Sequence, residues 1–182
     1  LDDEVISAMV SAGLVKINLS PEHGSDHMRN IVIGKHLNSD KIYEVFDACA
    51  KHETLYIGAY FIIGLPEETE ETLNETLAMI EALPLDRLSF SCATPYPGTK
   101  LFEYCVENNL VDPTQTYDFK KEFEAKGEIR KPYFTPHAVS EDQLMAAVMK
   151  AREIMKEKRK FSTTPENHPS NSRQFHQVIE IS

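Results

Sequence analysis

Apolar and polar positions along the chain follow two rhythms that take turns. From Asp2 to Ala12, Val5, Met9 and Ala12 fall at helical spacing, and Gly13 supplies a stop. From Leu14 to Ser20 the rhythm becomes alternation, with Val15, Ile17 and Leu19 set against Lys16, Asn18 and Ser20, as in a strand with one buried face. Helical spacing returns after a cap at Ser39 or Asp40, with Ile42, Val45, Phe46 and Cys49 on one face as far as Lys51. Leu55 to Ile63 is a near-continuous apolar run rich in Tyr, Ile and Phe, which fits a strand buried on both faces of a parallel sheet. Gly64-Leu65-Pro66 ends it. Thr69 then caps a helix whose first turn holds Glu70 and Glu71, where the helix dipole favours negative charge. Leu73, Leu77, Ile80 and Leu83 carry that helix to Pro84. Arg87 to Ala93 reads as a third strand, with Leu88, Phe90 and Cys92 opposite Ser89, Ser91 and Ala93. Pro95 to Thr99 is a tight loop and Lys100 to Asn108 a helix.

Strands alternating with helices predict right-handed βαβ units and an α/β fold with a parallel sheet. On the first and third strands one face is apolar and suits helix packing. The other is small and polar, which suits a roomy lumen rather than a filled barrel core. After Val111 the pattern changes. Residues 112–139 are polar and irregular. Ser140-Glu141-Asp142-Gln143 is a capping box opening an amphipathic helix with Leu144, Val148, Ala151 and Met155 on one face. Residues 162–182, rich in Ser, Thr, Pro, Asn and His, are expected to be a disordered tail. The expected organisation is therefore a barrel portion over 1–111, a segment and helix packing on it over 112–161, and the tail.

Composition narrows the possibilities. A formal net charge of −10 argues against a general nucleic-acid binder, which needs clustered Lys and Arg on phosphates. The run from Lys150 to Lys160 is basic, but a helix end rich in Lys and Arg reads first as a solvated, dipole-matched face. The apolar run from Leu55 to Leu65 is too short to span a bilayer, and no signal-peptide pattern opens the chain. A start at Leu1 inside a helical pattern suggests that the chain continues upstream. Cys49, Cys92 and Cys105 are widely spaced and form neither a metal-ligand motif nor a disulfide framework, so a cytoplasmic setting is expected. His23 and His27 flank Gly24 rather than sharing a helix face, and are not read as metal ligands.

Function in parallel α/β folds gathers at the carboxyl ends of strands. The ends here are Ser20-Pro21-Glu22-His23-Gly24-Ser25, Gly64-Leu65-Pro66-Glu67-Glu68-Thr69 and Thr94-Pro95-Tyr96-Pro97-Gly98-Thr99. Each joins Gly or Pro to polar side chains. One such segment is a turn; three in register suggest a site.

These same segments carry a resemblance. Ala59-Tyr60-Phe61-Ile62-Ile63-Gly64-Leu65-Pro66 with Glu68-Thr69 resembles a strand of radical SAM enzymes. Thr94 to Leu101 resembles the element that follows it, and Leu19 to Ser25 the strand end that precedes it. Tyr117-Asp118, Lys131 to Thr135 and the helix from Ser140 resemble the segment after the barrel in the branch often joined to a cobalamin-binding domain. The resemblance spans roughly residues 1–161. It implies a six-unit open βα barrel, of which this chain holds the C-terminal three units, the missing N-terminal half being its partner.

The resemblance further implies that S-adenosylmethionine lies across the strand tops. Its contacts would come from Ser20, Glu22, Ser25, Lys35, Tyr60, Ile62, Gly64, Pro66, Glu68, Pro95, Tyr96 and Pro97. Glu22 and Ser20 would meet its ribose or amino-acid part, Lys35 its carboxylate, and Ile62 and Gly64 its adenine, with glycine allowing close backbone approach. It implies a four-iron–four-sulfur cluster whose ligands lie outside this chain. The intact parent would generate a 5′-deoxyadenosyl radical for methyl transfer or a related reaction on a small-molecule or biosynthetic-intermediate substrate. Cobalamin use belongs to the parent, and this chain alone is expected to be inactive. Glu67 and His23 depart from the family pattern; a substrate-facing role is one reading of each, and an exposed loop residue is the expected one. The alternatives are a non-catalytic half-barrel assembly module and an RNA methylthiotransferase-type enzyme.

Overall fold

Local chemistry sets the helix ends in this computed structural model, which describes residues 1–114, 131–161 and 179–181. Helix α1, Asp3–Ser11, starts where the Asp2 side chain accepts the Val5 N–H. It buries Ile6 rather than the expected Val5 and Ala12, both exposed, so its inward stripe is Ile6, Met9 and Val10. Helix α2, Ser39–Ala50, is capped by Asn38, one residue before the expected cap, through a bond from the Lys41 N–H. Helix α3, Glu70–Ala82, opens on Thr69 in a reciprocal cap with Thr72. Thr99 caps α4, Lys100–Glu107. Ser140 and Gln143 exchange bonds at the head of α5, Glu141–Phe161.

Three parallel strands form the sheet's main part: β1, Lys16–Glu22; β2, Tyr56–Ile63; and β3, Arg87–Cys92. A short β4, Ile179–Ile181, pairs in parallel with the outer edge of β1, giving the order β3-β2-β1-β4. These three residues lie in the stretch expected to be a disordered tail and depart from that expectation. The Tyr117-Asp118 pair falls outside the described residues. β1 starts two residues later than alternation suggested and runs on through Pro21 to Glu22, with an irregularity in its pairing between Leu19 and Glu22.

Ile17, Leu19, Ile57, Ala59 and Phe61 face the helices and join Phe46, Cys49, Ile80, Leu83, Ala151 and Met155 in the main core. α5 packs on α3 and β3, burying the predicted stripe of Leu144, Val148, Ala151 and Met155. Phe134 plugs a smaller cluster with Ala93 and Cys105. The opposite sheet face carries Lys16, Asn18 and Ser20, then Tyr56, Gly58, Tyr60 and Ile62, then Arg87, Ser89 and Ser91. This is the polar inner face that alternation predicted. The fold is the C-terminal half of an open βα barrel with a helical extension.

Candidate functional site

The three strand ends lie side by side because the strands are parallel neighbours. Four positive-φ positions fall within these segments, Gly98 at 86° among them. Glu22, Gly64 and Glu67 have φ of 67°, 75° and 66°. Two of these are glutamates in the left-handed region, where a side chain is disfavoured, so surrounding contacts must hold them.

Glu22 is half-buried, and its carboxylate accepts a bond from the Lys35 Nζ at 2.9 Å. Lys35 thus finds a partner within the chain, and the pair offers one anion and one cation side by side. Ser20, half-buried, precedes it on the same strand. On the other side of the sheet top, Ile62, Leu65, Thr94, Tyr96, Tyr133 and Arg152 line a cavity of about 520 Å³. Tyr60 sits half-buried on the inner face below Ile62; Pro66 is half-buried, Pro95 buried, and Tyr96 and Pro97 exposed at the rim.

Gly64 follows the last residue of β2 directly. No backbone crowds it; the nearest atom to an added Cβ is Leu144 Cδ1, at an ordinary 3.4 Å. Its positive φ is what demands glycine. The crowded glycine is Gly24, where a Cβ would drive into the Glu75 carbonyl and the Thr76 Cα of α3.

Glu68 and Ser25 are buried, and both serve His23. The expectation that His23 is exposed is overturned: it is 0% exposed, as is Glu68. The Ser25 N–H donates to Nδ1 at 3.1 Å, so the ring proton sits on Nε2. Nε2 lies 3.1 and 3.2 Å from the two Glu68 carboxylate oxygens and donates to them. The same carboxylate accepts the Gly64 N–H at 2.9 Å and the Thr72 hydroxyl. One buried pair therefore ties the end of β1 to the end of β2 and the head of α3. Glu67 is exposed as expected and meets the exposed His27 at 2.8 Å.

Sequence reading also missed Arg29, which is fully buried in a π-helical turn, Met28–Val32. Its guanidinium donates to the carbonyls of Leu37 and His23, to Asp26 and to Ser39 Oγ, pinning the loop after β1. Burial pushes its pKa down, and Asp26 opposes that shift. No spacing pairs residues 23 and 68. Parallel topology does, because a crossover returns each strand end beside the last.

The three cysteines sit on α2, β3 and α4 and act as packing groups. Burial pushes each thiol up to about 11, with the Glu68 charge adding to the effect at Cys92. Among the described residues no cluster of His, Cys, Asp and Glu could hold a metal ion. Among the described residues no helix is long and apolar enough to cross a membrane.

A parallel half barrel with polar, left-handed turns at its strand tops defines a protein of the open βα-barrel class. No family model matches the chain. An uncharacterized methyltransferase of Pyrococcus horikoshii is 30% identical over 139 residues, which cover 76% of this chain and 29% of the relative. The anaerobic magnesium-protoporphyrin IX monomethyl ester cyclase of Cereibacter sphaeroides is 29% identical over 148 residues, covering 81% and 22%. Among solved structures, the radical S-adenosylmethionine methyltransferase TsrM of Kitasatospora setae, with cobalamin and a [4Fe–4S] cluster bound, superposes with a TM-score of 0.57. That match is 17% identical and covers 96% of this chain and 38% of TsrM. In fold the chain is similar to radical SAM enzymes, and in sequence to a methyltransferase and a cyclase. It spans under a third of the length of these curated relatives.

Proposed function

We propose that this chain is the cofactor- and substrate-facing half of a radical SAM enzyme, and that S-adenosylmethionine lies across the tops of β1, β2 and β3. The observation that carries the reading is the pairing of two chemically different features along one sheet edge. The cavity beside Ile62, Leu65 and Tyr96 joins apolar and aromatic walls, suited to a flat heteroaromatic ring, to polar groups of Thr94, Lys131 and Arg152 that can meet the ring's edge. The Glu22–Lys35 pair suits the other end of the molecule, its carboxylate meeting an ammonium or ribose hydroxyl and its ammonium meeting a carboxylate. Ser20, Tyr60, Pro66, Pro95 and Pro97 frame the space between. Ser25 and Glu68 act through His23 and Gly64 rather than by touching the ligand.

A four-iron–four-sulfur cluster, held by residues outside this chain, would supply the electron for reductive cleavage of the sulfonium. The chain's own thiols do not fit as its ligands, being spread over three elements and held protonated by burial. The likeness to methyltransferases and to TsrM supports methyl transfer or a related radical reaction in the parent, with cobalamin as its further cofactor. An upstream half-barrel is the partner.

Calorimetric titration of the full chain with S-adenosylmethionine tests the reading. The expected result is saturable one-site binding, weakened about tenfold by Glu22→Gln, a loss of roughly 1.4 kcal/mol. Glu103→Gln, an exposed control, should leave it unchanged. Absence of saturable heat, or equal affinity for Glu22→Gln, would overturn the assignment.

A further inference from the structure

The inner face of the sheet holds a polar group with no evident use. Asn18 is 3% exposed, yet its carboxamide makes no hydrogen bond to any described residue. A buried amide left without a partner costs about 1–3 kcal/mol, so its retention calls for an explanation. Asn18 stands opposite Gly58 in register, and its Oδ1 occupies the space that a Cβ on Gly58 would fill. The glycine thus lets the carboxamide lie across β2 toward β3.

The next position in that row is Arg87, opposite Gly58 from the other side. One row nearer the amino ends of the strands, Lys16 lies opposite Tyr56, with its Nζ 5.3 Å from the ring centre. All of these positions share the inner face. Neither Lys16 nor Arg87 makes an ion pair with a described residue. They do sense each other: Lys16 is shifted to lower pKa first by burial and then by the Arg87 charge. Two cations brought together beside an unsatisfied amide make a favourable setting for an anion, which would relieve their repulsion and give the amide an acceptor.

We propose that Lys16, Asn18 and Arg87 form an oxyanion site on the inner face of the half barrel, which takes the carboxylate or phosphate group of the substrate. The site lies toward the amino ends of the strands, well below the tops where the cofactor is placed. It rests on the reading of this face as the reaction chamber. An oxyanion anchored there fixes one end of the substrate and leaves the other free to reach the strand tops.

The test is a nuclear magnetic resonance titration of the ¹⁵N-labelled full chain with inorganic phosphate and, separately, acetate, against chloride at matched ionic strength. The Asn18 side-chain amide and the Arg87 Nε–H should shift saturably with an oxyanion and not with chloride. A stronger response to phosphate assigns a phosphorylated substrate, and a stronger response to acetate a carboxylate. The double variant Lys16→Gln, Arg87→Gln removes two side chains outside the core and should fold normally; it should weaken the response about tenfold or more. Shifts that match chloride, or that survive the double variant unchanged, would overturn the site. The cofactor titration reads Glu22 at the strand tops, so each proposal can fail while the other stands.

Discussion

Replacing Glu68 with alanine should cost this fold more stability than any comparable change at the strand tops. The carboxylate is fully buried and accepts from the Gly64 N–H at 2.9 Å, from His23 Nε2 at 3.1 and 3.2 Å, and from the Thr72 hydroxyl. Thr72 has an alternative acceptor in the Thr69 carbonyl at 3.0 Å, so its loss is small. The Gly64 donor has none, and His23 Nε2 has only the Thr76 hydroxyl at 3.4 Å, too long to replace the carboxylate. Each buried donor left unsatisfied costs about 1–3 kcal/mol, so the pair gives about 2–6 kcal/mol before any cavity contribution. Domains are typically stable by about 5–15 kcal/mol, so Glu68→Ala approaches global unfolding. Glu68→Gln keeps the shape. Its amide oxygen can still accept from Gly64 and His23 while its NH₂ turns to Thr72 Oγ. It should lose only the extra strength of a charged acceptor, about 1 kcal/mol. Equilibrium urea unfolding by circular dichroism measures both, with midpoint shifts converted through the common slope. Amide exchange at Gly64 should also speed up in the alanine variant. An alanine variant within about 1 kcal/mol of the parent, or a glutamine variant as damaged as the alanine one, would refute the network as the element that holds the strand ends together.

Two further outcomes follow from single positions. Gly24→Ala should destabilise by about 1–3 kcal/mol even though alanine fits a loop, because its Cβ would meet the backbone of α3 at Glu75 and Thr76, which cannot step aside; an unchanged urea midpoint would contradict this close approach. The thiols of Cys49, Cys92 and Cys105, pushed up to about 11 from an ordinary 9.0, should alkylate with iodoacetamide at pH 8 about a hundredfold more slowly than an exposed thiol. Because the folded-state pKa is raised, the matching stability is intact below the unfolded thiol's ordinary 9.0 and drains away as pH rises toward 11. Fast labelling at pH 8, read by mass spectrometry, would contradict the burial.

The parallel α/β architecture was legible because period and punctuation agreed: alternation at Ile17 and Leu19, the apolar run ending in Ile63, and caps at Thr69 and Ser140 all fall where the structure places them. The strand ends were legible as a group for the same reason. Misreadings arose where a tertiary partner outweighed a local rule. Asn38 won the α2 cap from Ser39, which instead accepts a bond from Arg29. Ile6 displaced Val5 on the inward face of α1, since the helix turns its stripe to meet the sheet rather than to maximise its own apolar spacing. His23 looked like a loop residue by its neighbours Pro21 and Gly24. It is buried because Glu68, forty-five positions away, gives its ring proton an acceptor. Arg29 is hidden from pattern for the same reason: its burial is made tolerable by carbonyls and an aspartate that close around it only after the loop is formed.

The pairing of β1 with β4 bears directly on how the half barrel could join a partner. A half barrel awaiting an upstream half would leave the outer edge of β1 open. The structure instead sets Ile179–Ile181 against Ile17, Asn18 and Leu19. That contact covers the lower part of β1 and stops short of Ser20–Glu22, where the backbone turns left-handed and Glu22 meets Lys35. Among the described residues, then, the lower edge of β1 is satisfied within the chain, whereas its upper end has no strand on that side. A joining strand would therefore either extend past β4 at the level of the candidate site or displace a three-residue pairing. Displacing so short a pairing costs few backbone bonds. A joining strand that reached Glu22 would also lie beside the left-handed turn that this residue holds at a conformational cost. On the function proposed above, assembly and the shaping of the cofactor edge are thus one event, because the same end of β1 carries both.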